Sequence, residues 1–158
     1  KWNDKQLNIA VQCLIDGFQN INGYDNYISR DLLEGIAMKL NETQTDSVFM
    51  CLINGLKGNN EKNRKLYAES IGYVSMKLNK KQLNDVFKCL NGQLDRIFSA
   101  FIHGIIAAKA SEKQLEEVVN TLIFVSKHSN NDKDKDRSLM RLLELISTKL
   151  NDKQLYLL

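Results

Sequence analysis

Three cysteines recur at a constant interval along the chain. Cys13, Cys51 and Cys89 are 38 residues apart, and each lies among apolar residues at helical spacing. A cysteine thiolate can bind a metal or act as a nucleophile, but either role needs further ligands or a base beside it. The regular interval instead indicates one structural position in successive helices, occupied by a small buried thiol. We expect three free thiols, because helices packed roughly 10 Å apart hold them too far apart for disulfides.

Histidines and alternating aspartates are the other residues suited to chemistry. His103 aligns with the core position of Ile71, and His128 is placed at a helix end, where positive charge is favourable. Aspartates alternate over 132–136 as in a calcium loop, but the glycine and glutamate that complete such a loop are absent. The sequence also has no glycine-rich phosphate loop and no nucleophile elbow. We therefore predict no catalytic residue, no metal ligand, no cofactor and no enzyme activity.

A ladder of lysines is the pattern of most functional interest. One lysine precedes each of several similar junctions along the chain, and the members are Lys1, Lys39, Lys77, Lys109 and Lys149. Two interpretations stay open. Lysine in the last turn of a helix complements the helix dipole and bonds its free carbonyl groups. Alternatively, the lysines form a basic stripe that meets an acidic protein or phosphates, although acidic neighbours such as Glu34 and Glu69 dilute it.

The junctions themselves form an internal repeat of helix starts. Five similar segments begin at Trp2, Leu40, Leu78, Ala110 and Leu150. In each, an Asn or Ser is followed three residues later by Gln, which is the spacing of a capping box. A helical stripe of apolar residues comes next, for example Val48, Leu52 and Leu56. Gly17 and Gly55 are placed where these first helices end, and a second helix leads to the next junction.

The repeat predicts an all-α fold made of stacked helix pairs. Repeats span about 2–39, 40–77, 78–109 and 110–149, and a partial fifth spans 150–158. The third is six residues short, which we assign to a clipped turn at 91–93, and the fourth has a long polar turn at 129–136. We predict a single domain over 1–158, a right-handed α-solenoid of four antiparallel helix pairs plus the start of a fifth, within a longer protein.

This pattern resembles the HEAT-repeat family over the full chain. The resemblance rests on the two-helix unit, on its period near the family's roughly 40 residues, and on Arg64-x-x-x-Ala68, repeated as Arg96-x-x-x-Ala100. It implies that the arginine helps to tie adjacent repeats together. The first and fourth repeats lack this pair, and the proline common in the family's first helix is absent. The nearest likeness is to HEAT-like repeats of large bacterial proteins, including secreted effectors of intracellular pathogens.

Composition narrows the classes of partner. The longest apolar runs are a few residues, well short of the roughly 20 that span a bilayer. We therefore expect no membrane partner and a cytoplasmic location, in the producing cell or in a host cell. The net charge of +3 is small for a nucleic-acid-binding domain, which usually gathers a larger basic excess on one face.

The function predicted from these patterns is a protein-interaction scaffold, because stacked repeats form an extended surface usually lined by the second helices. Candidate contacts on solvent-facing positions are Lys62, Lys65, Glu69, Tyr73, Lys77, Lys109, Arg141 and Glu144. Tyr73 is the leading candidate, since exposed aromatics are favoured at hot spots; the alternative is that Tyr73 packs against a neighbouring repeat. The alternatives are a nucleic-acid-binding module and the scaffold segment of an enzyme whose catalytic domain lies outside this chain. We also expect that the uncapped C-terminal end can pair with another copy.

Overall fold

A computed structural model describes residues 1–20, 24–90, 95–108, 111–128 and 144. Every regular element in these ranges is helical, which confirms the prediction of an all-α chain. None of the helices described combines the length and apolarity needed to cross a bilayer. The predicted turns at 91–93 and 129–136, the partial fifth repeat and the uncapped C-terminal end lie outside the described residues.

Within the described ranges the chain forms seven α-helices. They are α1 (Asp4–Gln19), α2 (Tyr24–Ile36), α3 (Glu42–Leu56), α4 (Glu61–Val74), α5 (Lys80–Leu90), α6 (Asp95–Ala107) and α7 (Glu112–His128). A single 3-10 turn continues α2 over Ala37–Lys39 and α4 over Ser75–Lys77. Each of these turns ends at a lysine of the ladder, just before the next Leu-Asn junction.

Capping boxes open the odd-numbered helices, as predicted. At α1 the Asn3 side chain accepts from the Gln6 backbone N–H at 2.8 Å, and the Gln6 side chain accepts from the Asn3 N–H at 3.0 Å. The same reciprocal pair forms at Asn41/Gln44, Asn79/Gln82 and Ser111/Gln114. Each cap stabilises its helix start by about 1 kcal/mol, so four boundaries are set by local sequence.

One apolar cluster runs from Leu7 in α1 to Val119 in α7. The predicted stripe of α3 is confirmed, since Val48, Leu52 and Leu56 are all buried. α1 packs against α2 and α3 against α4, while α1 also touches α3 and α2 also touches α4. The first four helices are therefore two packed pairs laid side by side.

α4 is the central helix of the described chain. It packs on α2, on α3 and, most extensively, on α6. The five residues Ser70 to Val74 at its C-terminal end are all buried, as expected for a helix surrounded by others. The neighbouring helices therefore determine which polar side chains of α4 bond within the chain and which reach solvent.

The packing of α4 on α6 depends on two glycines. A Cβ atom on Gly72 would lie 2.5 Å from the carbonyl oxygen of Phe101, and one on Gly104 would overlap the carbonyl oxygen of Glu69. Since the obstacles are backbone atoms, no rotamer change can make room for a side chain. We call this contact between Gly72 and Gly104 the glycine crossing.

Gly17 and Gly55 have a different role from the one predicted. α1 continues to Gln19 and α3 to Leu56, so both glycines lie inside the last helical turn, and their assignment to positions just past the helix end is wrong. A Cβ atom on Gly55 would lie 2.5 Å from the Tyr67 ring, and one on Gly17 would overlap the Ser29 hydroxyl. These glycines make space for the second helix of each pair.

The third helix pair is described on either side of the predicted clipped turn. α5 packs mainly on α7, and α6 mainly on α4. The glycine crossing holds α6 against α4.

The glycine crossing predicts opposite outcomes for two Gly→Ala substitutions. Gly104→Ala forces two backbones apart and should lower the free energy of unfolding by about 2–3 kcal/mol. Gly35→Ala in α2 meets no atom within 4 Å and should raise it by up to about 1 kcal/mol through helix propensity. Urea unfolding of dilute protein followed by circular dichroism measures both. Equal stabilisation by the two substitutions would contradict the crossing.

Candidate protein-interaction surface

Tyr73, the leading candidate contact, is internal. Its side chain is only 3% exposed, and its hydroxyl donates to Glu69 Oε1 at 2.8 Å. Burial and this hydrogen bond raise the pKa of the Tyr73 phenol. The expectation that Tyr73 faces solvent is therefore wrong, because α4 is enclosed by its neighbours where a solvated face was predicted.

Glu69 is a structural tie rather than an open contact. Besides accepting from Tyr73, it lies 3.6 Å from Arg30 Nη1 on α2, and both charged side chains are about one-quarter exposed. Arg30 also bonds the neighbouring Asp31 at 3.1 Å. This network links α2 to α4 through Glu69.

Lys77, a member of the lysine ladder, bonds a backbone carbonyl group of another junction. Its Nζ donates to the carbonyl oxygen of Leu40 at 2.7 Å, which joins two successive junctions. Lys77 thus bonds a backbone carbonyl group, but the carbonyl belongs to the preceding junction and not, as the local interpretation predicted, to the helix end of Lys77 itself. Lys1 and Lys39 are exposed, and Lys109 and Lys149 lie outside the described residues.

The glutamines of the capping boxes form a second set of ties that was not predicted. Gln44 Nε2 donates to Asn8 Oδ1 at 2.7 Å, and Gln82 Nε2 donates to Asp46 Oδ1 at 2.8 Å. Both bonds span 36 residues and join consecutive odd-numbered helices. The sequence feature that could have predicted these bonds is an acceptor side chain two residues after each capping glutamine.

An arginine singled out by the HEAT resemblance also joins neighbouring helices. Arg96 Nη2 on α6 lies 2.8 Å from Glu61 Oε1 on α4. Both side chains are well exposed, so this ion pair contributes at most about 1 kcal/mol. Its position agrees with the tying role that the resemblance implies.

The exposed surface contains an aromatic residue that the candidate set omitted. Tyr27 on α2 is 37% exposed, with the Arg30 guanidinium carbon 5.2 Å and Lys62 Nζ 5.9 Å from its ring centroid. We call Tyr27, Arg30 and Lys62 the Tyr27 cluster. A ring between two cations presents an apolar edge together with N–H donors. Tyr27 precedes the candidate Lys65 by 38 residues, and this register could have identified it.

The remaining candidates divide between surface and undescribed positions. Lys62 and Lys65 are exposed as predicted, and Glu144 is exposed within a helix. Lys109 and Arg141 lie outside the described residues. Among the described candidates, Lys62 belongs to the Tyr27 cluster and Glu69 pairs with its Arg30.

The cysteines and histidines differ in part from expectation. The three thiols are free as predicted, but Cys13 is exposed whereas Cys51 and Cys89 are half-buried against the core. Burial raises the pKa of the Cys51 and Cys89 thiols. His103 is exposed, so its assignment to the core is wrong: α6 turns the opposite face inward. His128 is the last described residue of α7.

The acidic run at 132–136 lies outside the described residues. Elsewhere, in the residues that the structure does describe, no three His, Cys, Asp or Glu side chains are close enough together to hold a metal ion.

Comparisons with known proteins give no match for this chain. No protein-family model matches the chain, and no match is found among curated proteins or solved structures. A function for this chain is therefore inferred from its own residues.

The burial of the thiols predicts their order of reaction. Cys13 should react with a maleimide or a disulfide reagent before Cys51 and Cys89, because it is exposed and the raised pKa of the other two leaves little thiolate at neutral pH. The slow reactions should accelerate as the pH rises toward those raised pKa values. Mass spectrometry of peptides from partly labelled protein gives the order, and Cys13→Ser should remove the fast phase. Equal rates at all three thiols would contradict this assignment.

Proposed function

We propose that this chain is a non-catalytic scaffold that binds another protein, built as a right-handed HEAT-like α-solenoid. The helix pairs α1–α2 and α3–α4 and the continuous apolar core support this architecture. Ties at nearly constant spacing, from Gln44, Gln82 and Lys77 to the preceding junction or helix, support it further. A regular stack needs such bonds because each unit contacts only its neighbours.

The observation that carries the function is the Tyr27 cluster. Most aromatic side chains near it are used internally: Phe18 packs on Tyr67 and Tyr73 bonds Glu69. Tyr27 instead keeps more than a third of its surface open between two cations. Tyrosine and arginine are among the residues enriched at binding hot spots. The cluster lies on the second helices, the part of a solenoid that usually faces a partner.

The cluster indicates the chemistry of the partner. Arg30 and Lys62 supply positive charge beside the ring, and the exposed Lys65 extends this charge along α4. Arg30 is ion-paired with Asp31 and Glu69, so the open positive charge beside the ring comes mainly from Lys62 and Lys65. We infer a partner surface with carboxylates next to an apolar side chain, since complementary charges steer association and fix the register.

Replacement of the cluster should abolish partner capture. We expect Tyr27→Ala/Lys62→Ala to weaken binding by about tenfold or more, as loss of a hot spot does. The matched control is Met50→Ala/Lys57→Ala, which removes an exposed apolar and a basic residue from the α3 region. Partners captured by the wild-type chain are identified by mass spectrometry, purified and titrated against each variant by calorimetry.

Circular dichroism must first show that both double variants are folded. Equal affinity of the two variants for every identified partner would contradict the proposal. So would a partner whose affinity falls only in the Met50/Lys57 control.

A further inference from the structure

A cleft lined by carboxamide side chains lies where the first two helix pairs meet, near the ends of α1 and α3 and the starts of α2 and α4. It encloses about 380 Å³, within the range of roughly 300–1,000 Å³ typical of ligand sites. Five of its lining residues are amides, namely Gln19, Asn20, Asn26, Asn54 and Asn63. We call this site the amide cleft.

The described lining of the amide cleft carries no charged side chain, although 26% of the residues in the chain are charged. Four of the amides have a charged residue at the matching position one repeat of 38 residues away. Asn54 matches Asp16, Asn63 matches Asp25, Gln19 matches Lys57 and Asn26 matches Arg64. Positions that carry charge in a neighbouring repeat are therefore uncharged amides around this cleft.

The inner wall of the amide cleft is fixed by hydrogen bonds within the chain. Tyr67 donates its hydroxyl to the carbonyl oxygen of Phe18 at 2.7 Å. Asn26, which is 3% exposed, donates to the same oxygen at 3.0 Å and to that of Gly17 at 2.7 Å. These bonds join α1 to α2 and α4, so the wall is ordered before a ligand binds and costs little entropy on binding.

The outer amides of the cleft are open to a ligand. In the part of the chain that the structure describes, the side chains of Gln19, Asn54 and Asn63 make no hydrogen bond. Gln19 and Asn54 are exposed and Asn63 is half-buried. Each amide holds an acceptor oxygen beside two N–H donors. The cleft thus presents paired donors and acceptors without charge.

This chemistry matches the main chain of a peptide. Each peptide group offers one N–H donor and one carbonyl acceptor, and a carboxamide can bond both kinds. Nucleic acid would need cations for its phosphates and an open aromatic face for its bases. The described lining has no cation, Phe18 is 1% exposed, and the Tyr67 hydroxyl is already bonded.

We propose that the amide cleft binds an extended, uncharged segment of the partner protein by its main chain, with Gln19, Asn54 and Asn63 bonding the peptide groups. This inference rests on the proposed function, since the segment belongs to the partner. Main-chain bonds give affinity with little dependence on sequence, so the specificity comes from the Tyr27 cluster. Asn26 and Asn63 are chain neighbours of Tyr27 and Lys62, so one partner can reach both sites.

An NMR titration of the isotope-labelled whole chain tests the proposal. The probe is an end-blocked hexapeptide of alternating serine and alanine, which has no charge. We expect the side-chain amide signals of Gln19, Asn54 and Asn63 to shift with a Kd of about 1 mM. The same hexapeptide with N-methylated peptide groups lacks the N–H donors and should bind at least about tenfold more weakly.

Two variants locate the binding. Asn54→Asp/Asn63→Asp should weaken binding of the hexapeptide at least about tenfold, because an ionised carboxylate accepts hydrogen bonds but donates none. The fold should tolerate both changes, since the first repeat has aspartate at the matching positions. The matched control is Asn59→Asp, at an exposed residue outside the cleft lining, and it should leave the Kd unchanged.

Thiol labelling gives a second readout. Cys51 lines the amide cleft, so saturating hexapeptide should slow its reaction with a maleimide. Cys89, which is also half-buried but lies outside the cleft lining, should react at the same rate with and without hexapeptide.

Three results would overturn the proposal. The first is no shift of the three amide signals up to about 10 mM hexapeptide. The second is equal binding of the hexapeptide and its N-methylated form, or equal binding by the double variant and its control. The third is a shift of these signals with maltose alone, which would make the cleft a sugar site.

Failure of the proposed function gives a different result. Tyr27→Ala/Lys62→Ala should abolish partner capture and leave the hexapeptide Kd unchanged, because the uncharged probe does not need the Tyr27 cluster. If this variant still captures every partner while the hexapeptide binds as expected, the Tyr27 cluster is wrong and the amide cleft stands. If partner capture depends on the cluster but the hexapeptide does not bind, the amide cleft alone is wrong.

Discussion

The backbone contact between Gly72 and Gly104 is the constraint on which the other features of the structure depend. It holds α6 directly on α4, where the run from Ser70 to Val74 is buried. Tyr73 and Glu69 consequently bond each other and α2. The exposed residues of the second helices include those of the Tyr27 cluster.

Polar ties set the register of the helices that the apolar core holds together. Apolar contacts are not directional, so the core alone would tolerate sliding of one pair along the next. The bonds from Gln44, Gln82 and Lys77 to a preceding junction or helix span 36 or 37 residues. Each contributes on the order of 1 kcal/mol, and a slip of one residue would break all of them together.

Local sequence patterns predicted the positions of the helices, whereas the exposure of individual side chains depends on the neighbouring helices. Capping boxes and apolar stripes are contained within a few residues, so α1, α3, α5 and α7 were placed correctly. Exposure of Tyr73 and His103 depends on which helix lies beside them, and alignment of repeats carries no such information. The pairs Ala68/Gly72 and Ala100/Gly104 are visible in the sequence. The close approach of α4 and α6, however, depends on these two helices packing on each other, which the sequence pattern does not show. Tyr27 was missed because its first repeat lacks the Arg/Ala pattern that marks the second and third repeats.

Hydrogen exchange of the native chain tests the central position of α4 most directly. Backbone amides from Ser70 to Val74 are buried behind α2, α3 and α6, so they should open only when the whole domain unfolds. We expect these amides to exchange more slowly than those of α1 and α7, with an opening free energy equal to that of global unfolding. Exchange of Ser70 to Val74 as fast as that of the outer helices would contradict it.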